Sequence, residues 1–368
     1  MDFAGLIGKF PTHRQLTDQE RVHHLHPQQR LDLAPHYQLG VIRMNSTYLE
    51  LVDKWYGSKG LLTTIGFAIL AIAIGVLGLP LIGGVWDGVA GAPVAGDDQA
   101  SSMLLSDIGM LLLLVLPTSW AAVWLSRKES FAYTHYPVRF NRKTRMVYVF
   151  RTNGTVLSIP WDRVFFTLAQ VDHLSNYWNI IGHVMAADGT TVTESFALSI
   201  SEMGAPDGVL VMRSHWEFVR RYMEDGPASL TDQVQFCLPI NRRRESWSLG
   251  AQRLLANSSN SPLWMLPITI FSMAVDLLTV PFRYFAMRTS KVPTWPADVE
   301  ATCAIDDDDP YAIEGDERGN RIAVFPEAAR MAGVGFVAPP ASPLVQQHDS
   351  PGIERPVKGA VSRKRRRK

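Results

Sequence analysis

The chain has 368 residues, a formal net charge of +1 and a composition in which 46% of residues are hydrophobic and 19% charged. This length suffices for a membrane-embedded part and one or two soluble domains, and the near-neutral charge argues against bulk attraction to nucleic acid. With only two cysteines, Cys237 and Cys303, the sequence predicts neither a disulfide framework nor a cysteine-based zinc site.

Residues 1–59 are predicted to form a cytoplasmic N-terminal segment without a cleavable signal peptide. His24 and His26 would share one face of a strand and are the kind of ligands that transition metals take. No carboxylate or cysteine completes a ligand set nearby, so a solvated segment is the favoured interpretation. Residues 37–55 are apolar enough to pack on another part of the chain, such as a later β domain.

Two apolar stretches, residues 61–82 and 103–125, predict a transmembrane hairpin within residues 60–126. A helix over residues 61–79 alone would be about 28 Å long, close to the thickness of a bilayer core. The loop between the stretches contains aspartates but neither lysine nor arginine, whereas Lys59 and Arg127 lie on the outer flanks. The positive-inside rule therefore predicts that both ends of the hairpin are cytoplasmic.

Three residues in these spans carry weaker signals. Ala71 and Gly75 are small residues four apart, a spacing that lets helices approach closely. Asp107 could be a functional carboxylate inside the membrane, but its position near the start of the second span favours the outer interface, where its charge reaches water.

Residues 130–240 are predicted to form a cytoplasmic, mostly β domain. Strand-like runs cover residues 137–141, 145–151, 155–161, 164–171, 178–187 and 190–200. Asn153-Gly154 and Asp188-Gly189 are hairpin-turn signals. The sequence SHWE at residues 214–217 has the pattern of a capping box and predicts the start of a closing helix. The predicted fold class is therefore an α+β membrane protein, with a helical hairpin followed by a pleckstrin-homology-like barrel and its C-terminal helix.

Residues 262–287 form a third apolar stretch. Pro267 and Pro281 interrupt it, and Asp276 belongs to a polar stripe at helical spacing. A third crossing would also export the basic C-terminus. The stretch is therefore predicted to be a helix that lies in the interface or packs on the hairpin without spanning the membrane.

Residues 291–368, rich in proline and blocks of like charge, are predicted to be a largely disordered tail. Basic residues before and after the third apolar stretch would be able to contact anionic lipid headgroups. The candidate membrane-interface contacts are Arg242, Arg243, Arg244, Arg283, Arg288, Lys364, Arg365, Arg366 and Arg367.

The sequence contains no phosphate-binding GxxxxGK[ST], no HExxH and no GxSxG motif. Asp162, Asp172, His173, His183 and Glu194 are polar candidates in the β domain, but their spacing matches no known catalytic arrangement. No catalytic residue, cofactor or metal is therefore predicted, although an enzyme stays possible because triads are not contiguous in sequence.

The order of the hairpin, YPVRFNRKTRMVYVFRTNGTVLSIPWDRV (136–164), HWEFVRRYMEDGP (215–227) and VPTWPADVEATC (292–303) resembles an uncharacterised family of proteobacterial membrane proteins, often encoded near type VI secretion genes. The resemblance covers most of residues 38–311 and implies an inner-membrane setting, with no catalytic residue to carry over.

We accordingly expect a non-enzymatic inner-membrane interaction protein, an immunity or accessory factor linked to type VI secretion. Its partners would be the lipid bilayer and a protein of unknown identity, not nucleic acid. A lipid-responsive membrane scaffold is the first alternative, and an enzyme whose site the sequence does not reveal is the second.

Overall fold

A computed structural model describes residues 4–90, 97–170, 176–234, 236–258 and 266–315. The helices are α1 (Asp18–Val22), α2 (Leu61–Ala71), α3 (Leu79–Val89), α4 (Asp97–Met110), α5 (Leu116–Ser126), α6 (Pro206–Glu224), α7 (Trp247–Ser258), α8 (Leu266–Thr289) and α9 (Ala297–Thr302). The strands are β1 (Arg14–Gln15), β2 (Val41–Met44), β3 (Tyr48–Leu51), β4 (Val138–Asn141), β5 (Met146–Phe150), β6 (Val156–Pro160), β7 (Val164–Gln170), β8 (Tyr177–Met185), β9 (Thr191–Met203) and β10 (Ile313–Glu314).

The strands form two antiparallel sheets, one in the order β10-β2-β3-β4-β5-β6 and the other in the order β1-β9-β8-β7. Strands β4–β9 correspond to the six strand-like runs of the sequence. The predicted barrel is not closed in the described part of the chain, because β6 and β7 belong to different sheets. The chain turns between them through Trp161, which is fully buried and stacks on Trp216 of α6 with ring centroids 5.7 Å apart.

Helix α6 packs on the sheets with Trp216, Phe218 and Tyr222 fully buried. It begins at Pro206, well before the predicted capping box, so Ser214 lies in the helix interior. Proline suits the first turn of a helix because its fixed φ is helical and its missing N–H would have no partner there. This start signal, rather than the capping-box pattern, determines where α6 begins.

The N-terminal segment is part of the sheet domain. Strands β2 and β3 lie inside the six-stranded sheet, and β3 pairs with β4, so that Leu51 is opposite Val138. The two strands are adjacent in space although the whole helical hairpin separates them in sequence. The hairpin is therefore an insertion between neighbouring strands, and both of its ends leave the domain at the same place.

The first arm of the hairpin consists of α2 and α3, joined by the π-helical segment Ile72–Gly78. The second arm consists of α4 and α5, joined by the π-helical segment Leu111–Val115, and it packs against the first. Each π segment precedes a proline, Pro80 or Pro117, whose missing N–H and ring prevent regular α-helical hydrogen bonding. Asp107 lies against Gly84 near the end of the hairpin remote from the sheets.

Small residues do form the helix contact, but not the pair that the sequence suggested. Gly66 lies against Ala122 and Ser126, so the two helices approach closely there. Ala71 and Gly75 are exposed, and a Cβ atom added to Gly75 would meet nothing within 4 Å. The correct register depends on which helix face meets its partner, which a spacing of four does not specify.

Three helices are long and apolar enough to cross a membrane, by length and composition: Tyr56–Val89, Ser102–Ser126 and Leu266–Thr289. Large apolar side chains on their surfaces are exposed, such as Leu113 at 82% and Phe271 at 70%. This pattern is consistent with a membrane protein, in which lipid replaces water around such surfaces.

Residues 291–315, predicted as the start of the tail, are folded onto the sheets. Lys291 donates its N–H to the carbonyl oxygen of Ala132, and Asp309 accepts hydrogen bonds from the backbone N–H and hydroxyl of Ser46. Strand β10 pairs with β2. Residues 316–368 lie outside the described residues.

Candidate functional site

A buried polar cluster lies where the long apolar helices meet the sheet domain. It consists of Asp53, Tyr56, Lys59, Glu129, Glu245 and Arg283, and is called the junction below. All six residues are buried. Burying an unpaired charge is costly, so each of these groups needs hydrogen-bond or ion-pair partners.

Glu129, just after α5, binds the start of α2. Its Oε2 accepts hydrogen bonds from the backbone N–H groups of Gly60 and Thr63, both 3.0 Å long, and from the Thr63 hydroxyl at 3.1 Å. The first N–H groups of a helix have no intrahelical partner and carry partial positive charge, so a carboxylate stabilises them. One side chain thereby ties the two ends of the hairpin together.

Arg283 of α8 binds the same place from another direction. Its guanidinium forms two hydrogen bonds of 2.6 Å with Glu245 and donates to the carbonyl oxygens of Tyr56 and Lys59. The Tyr56 hydroxyl donates to Glu245 at 2.5 Å. Gly60, with φ of +100°, allows this approach, since a Cβ there would lie 2.6 Å from the Arg283 Cα.

Asp53 and Lys59, on the sheet side of the junction, also have hydrogen-bond partners. Asp53 accepts hydrogen bonds from the N–H groups of Trp55, Tyr56 and Tyr136, although burial raises the pKa of its carboxyl above the ordinary value. Lys59 Nζ donates to the Tyr133 carbonyl oxygen at 2.5 Å. Nearby, burial together with the Lys59 charge lowers the pKa of His135 to about 3, so its ring is neutral at neutral pH.

These contacts connect the three long apolar helices to the sheet domain. Asp53, Glu129 and Glu245 each accept hydrogen bonds from more than one donor. The junction therefore connects the sheets to the helices through buried hydrogen bonds and an ion pair. No single stretch of sequence could reveal it, because its members come from four separate segments.

The residues predicted to contact lipid have different environments in the structure. Arg283 is enclosed in the junction and exposes 1% of its side chain. Arg244 donates to the Ser290 carbonyl oxygen, and the exposed Arg288 stacks on Tyr284, 5.0 Å from the ring centroid. Arg242 and Arg243 are exposed, while Lys364, Arg365, Arg366 and Arg367 lie outside the described residues.

The polar residues singled out in the β domain do not come together. Asp162 pairs with Arg145, and Glu194 pairs with Arg151, both at the surface. Asp172 and His173 lie outside the described residues. The rings of His24 and His26 are 3.7 Å apart, yet among the described residues no group of three potential metal ligands exists around them or elsewhere.

His183 belongs to a chain of contacts that the sequence did not indicate. Its Nδ1 is 2.7 Å from the Ser195 hydroxyl oxygen, and its Nε2 is 3.1 Å from Glu20 Oε1. Ser195 lies opposite His183 on the neighbouring strand. This order of groups resembles a serine triad, but here the carboxylate lies at Nε2, the nitrogen that faces the serine in a hydrolase.

Arg14 also binds both oxygens of Glu20, at 2.6 and 2.7 Å. The Glu20 carboxylate is thus shared between Arg14 and His183. The chain of contacts instead fixes the N-terminal segment on the outer face of the four-stranded sheet, where α1 packs on β7.

The strand β6 is an open edge of the six-stranded sheet. Arg151 N–H donates to the Thr155 carbonyl oxygen, and Trp161 N–H donates to that of Arg145. Hydrogen-bonded pairs alternate in an antiparallel ladder, so Val156, Ser158 and Pro160 direct their backbone groups away from β5. Within the part of the chain that the structure describes, no group pairs with the N–H of Val156 or Ser158.

Comparison with protein families gives a match. The model of a family of unknown function (DUF6708) matches residues 115–307, which run from the second half of the hairpin to the segment after α9. Neither the curated proteins nor the solved structures include a significant match. The match covers the junction residues Glu129, Glu245 and Arg283, whereas β2, β3 and α2 lie before it.

Proposed function

This chain belongs to DUF6708, a family of unknown function, and we propose that it is a non-enzymatic, membrane-anchored protein whose sheet domain binds a protein partner. The helices would lie in the bilayer, and the junction would hold the domain at the membrane surface. A domain fixed in this way presents the same surface to every approaching partner, which reduces the entropy lost on binding.

The observation that carries the partner-binding proposal is the open edge of β6. An exposed strand edge with free N–H and C=O groups can accept an additional strand from another protein. The outward N–H groups of Val156 and Ser158 and the carbonyl oxygens beside them would form the ladder. Pro160, which has no N–H, would end it.

The test uses a matched pair of substitutions at Ser158. Ser158→Pro removes an outward N–H without removing a hydrogen bond between β5 and β6, whereas Ser158→Ala keeps that N–H. The full chain is extracted in mild detergent from its native host and its co-purifying proteins are quantified. We expect a stoichiometric partner with the parent and with Ser158→Ala, but not with Ser158→Pro. Equal recovery with both variants would refute the edge as the binding surface.

The cellular setting is a narrower proposal that rests on the sequence resemblance. We place the protein in a bacterial inner membrane, with the N-terminus and sheet domain in the cytoplasm, as an immunity or accessory factor of type VI secretion. A cysteine at Gln99 should react with an impermeant thiol reagent from outside, and a cysteine at Gly226 should not. A toxin-like gene beside this one would support the immunity role, and survival assays with that toxin would test it.

A lipid-responsive scaffold is the second candidate, favoured by the exposed side chains of Arg242, Arg243 and Arg288. Anionic lipid attracts such residues near the membrane surface, at about 1 kcal/mol for each. In this case the purified protein would retain anionic lipid and no stoichiometric protein. Neutralising the three arginines together would then remove the lipid, whereas Ser158→Pro would have no effect on it.

A further inference from the structure

A cavity of about 190 Å³ lies on the face of the six-stranded sheet that α9 covers. Its walls come from four separate segments: β3, the residues before β4, the loop before α7, and the segment from Pro293 to Glu300. The volume is that of about six water molecules in the liquid. It is smaller than the roughly 300–1,000 Å³ of sites for drug-sized ligands, so an occupant must be a small molecule or a headgroup.

Glu50 of β3 forms the buried end of the cavity, with 4% of its side chain exposed. Its Oε2 accepts hydrogen bonds of 3.2 and 2.9 Å from the Arg139 guanidinium, and its Oε1 accepts one of 2.9 Å from the Trp295 indole N–H. A carboxylate oxygen can accept two hydrogen bonds. Oε1 therefore has capacity for one further donor, and the existing contacts hold the carboxylate in place.

Glu300 of α9 supplies a second carboxylate to the cavity wall. Its Oε2 lies 3.5 Å from Arg139 Nη1, and its Oε1 lies 3.5 Å from Arg242 Nη2. Both distances exceed the roughly 2.7–3.2 Å of a good N–H···O hydrogen bond. The buried Arg139 Nη1 has no hydrogen-bond partner among the described residues. A donor on a ligand would therefore not have to displace a strong contact of Glu300.

The charges around the cavity are divided between its two ends. On the sheet side, Glu50 and Glu300 carry two formal negative charges against the single positive charge of Arg139. At the opening, Arg242 exposes 72% of its side chain. The Arg242 backbone has φ of +56°, a left-handed conformation that is costly for a residue other than glycine and is concentrated at functional sites.

His135 borders the cavity on the side of the junction, and it also contacts the space around Lys59 and Asp53. Its pKa of about 3 leaves the ring neutral, so it adds no charge to either end. Its Nδ1 is 3.0 Å from the Thr134 hydroxyl oxygen, whereas its Nε2 has no hydrogen-bond partner within the described ranges. Nε2 is therefore free to bond a polar atom of a ligand.

We propose that this cavity binds a small zwitterion, the phosphoethanolamine group, with the ammonium between Glu50 and Glu300 and the phosphate on Arg242. The ammonium N–H groups fill the acceptor capacity of the two carboxylates, and the guanidinium binds the phosphate oxygens, both through charge-assisted hydrogen bonds. A plain anion would meet two carboxylates, and a plain cation would meet Arg242, so neither alone fits. The group occurs free and as the headgroup of phosphatidylethanolamine. The inference does not depend on the open edge of β6.

The test measures binding of radiolabelled O-phosphoethanolamine to the full chain, delipidated in detergent, by equilibrium dialysis. Arg242→Gln and Glu300→Gln each remove one charge from the cavity wall. Arg243→Gln and Asp298→Asn are the matched controls, since both side chains are exposed and lie outside the wall. We expect saturable binding by the parent and both controls, and a loss of affinity of about tenfold or more in Arg242→Gln and in Glu300→Gln. Ethanolamine and inorganic phosphate, which each carry one of the two charges, should displace the label poorly.

A second arm distinguishes the two sources of the group. The label is offered to the full chain in nanodiscs of phosphatidylglycerol alone or of phosphatidylglycerol with phosphatidylethanolamine. Exclusion of the label by phosphatidylethanolamine would identify the lipid headgroup as the occupant, and equal binding in both nanodiscs would identify the free molecule. Absence of saturable binding by the delipidated chain would overturn the proposal. Equal affinity in the cavity variants and their controls, or full displacement by phosphate alone, would overturn it as well.

Discussion

The ion pair between Glu245 and Arg283 should be the most sensitive point of the junction. Arg283→Met keeps much of the side-chain volume but leaves Glu245 buried with, among the described residues, only the Tyr56 hydroxyl as a donor. Breaking a buried ion pair by removing one partner costs about 3–5 kcal/mol. Since Arg283 also donates to two backbone carbonyl oxygens, the upper part of that range is expected.

The protein supplies its own assay for this prediction. The thiols of Cys237 and Cys303 are buried, so a thiol-reactive fluorophore labels them only when the domain opens. In a thermal ramp at fixed rate, a loss of this size should lower the labelling midpoint by about 10 °C. Arg288→Met, an exposed arginine on the same helix, is the matched control and should leave the midpoint within about 2 °C.

A double substitution separates the pair from its surroundings. Glu245→Leu combined with Arg283→Met removes both charges, and replacing a buried pair by apolar residues is often close to neutral. The double variant should therefore be more stable than Arg283→Met alone. Equal midpoints for Arg283→Met and Arg288→Met, or losses that simply add in the double variant, would refute the reasoning that the pair acts as a unit.

Three further predictions concern other parts of the fold. Burial alone raises the pKa of Glu20, but its hydrogen bonds to His183 and Arg14 outweigh burial and hold the pKa well below the usual 4.5. The stability that the ionised Glu20 carboxylate contributes is present above pH 4.5 and is lost as the pH falls below 4.5. Glu20→Gln should therefore make the free energy of unfolding, measured by denaturant titration, depend less on pH below 4.5. Burial lowers the pKa of His215 from 6.5 to about 4, so the unfolded chain takes up this proton first and stability falls between these values. His215→Asn should remove about 3 kcal/mol of that fall, measured as urea midpoints at pH 7 and pH 4. Gly66→Val should disrupt the hairpin, because its Cβ would lie 2.7 Å from the Ala122 carbonyl oxygen, whereas Gly75→Val should be tolerated; equal thermal midpoints for the two variants would contradict the packing.

The sequence predicted the local elements of this protein well. Two long apolar stretches predict the hairpin by composition, and alternating residues with Asn153-Gly154 and Asp188-Gly189 turns predict strands β4–β9. Both turns have their glycine at positive φ, +85° at Gly154 and +68° at Gly189. These features depend on residues close in the chain, which is why a single sequence suffices to find them.

The long-range arrangement was out of reach of the same reasoning. Neither the spacing of Glu50 and Arg139 nor that of Glu20 and His183 suggests contact, yet both pairs are buried together. Arg283 looked like a lipid contact because a basic residue after an apolar run commonly is one. Arg283 is instead buried in an ion pair with Glu245, which is distant in sequence. The prediction of a closed barrel was wrong for the same reason, because pairing between β6 and β7 depends on the direction that the chain takes at Trp161.

The insertion of the helical hairpin between β3 and β4 has a consequence for how the protein is made. During synthesis β3 emerges long before its neighbour β4, because the residues of the hairpin are made between them. The six-stranded sheet cannot form until β4 has emerged, and its contacts between residues far apart in sequence predict slow folding. It also suggests a route to a water-soluble domain. Leu51 and Val138 are opposite each other, so a short engineered turn could replace the hairpin and join the two strands directly.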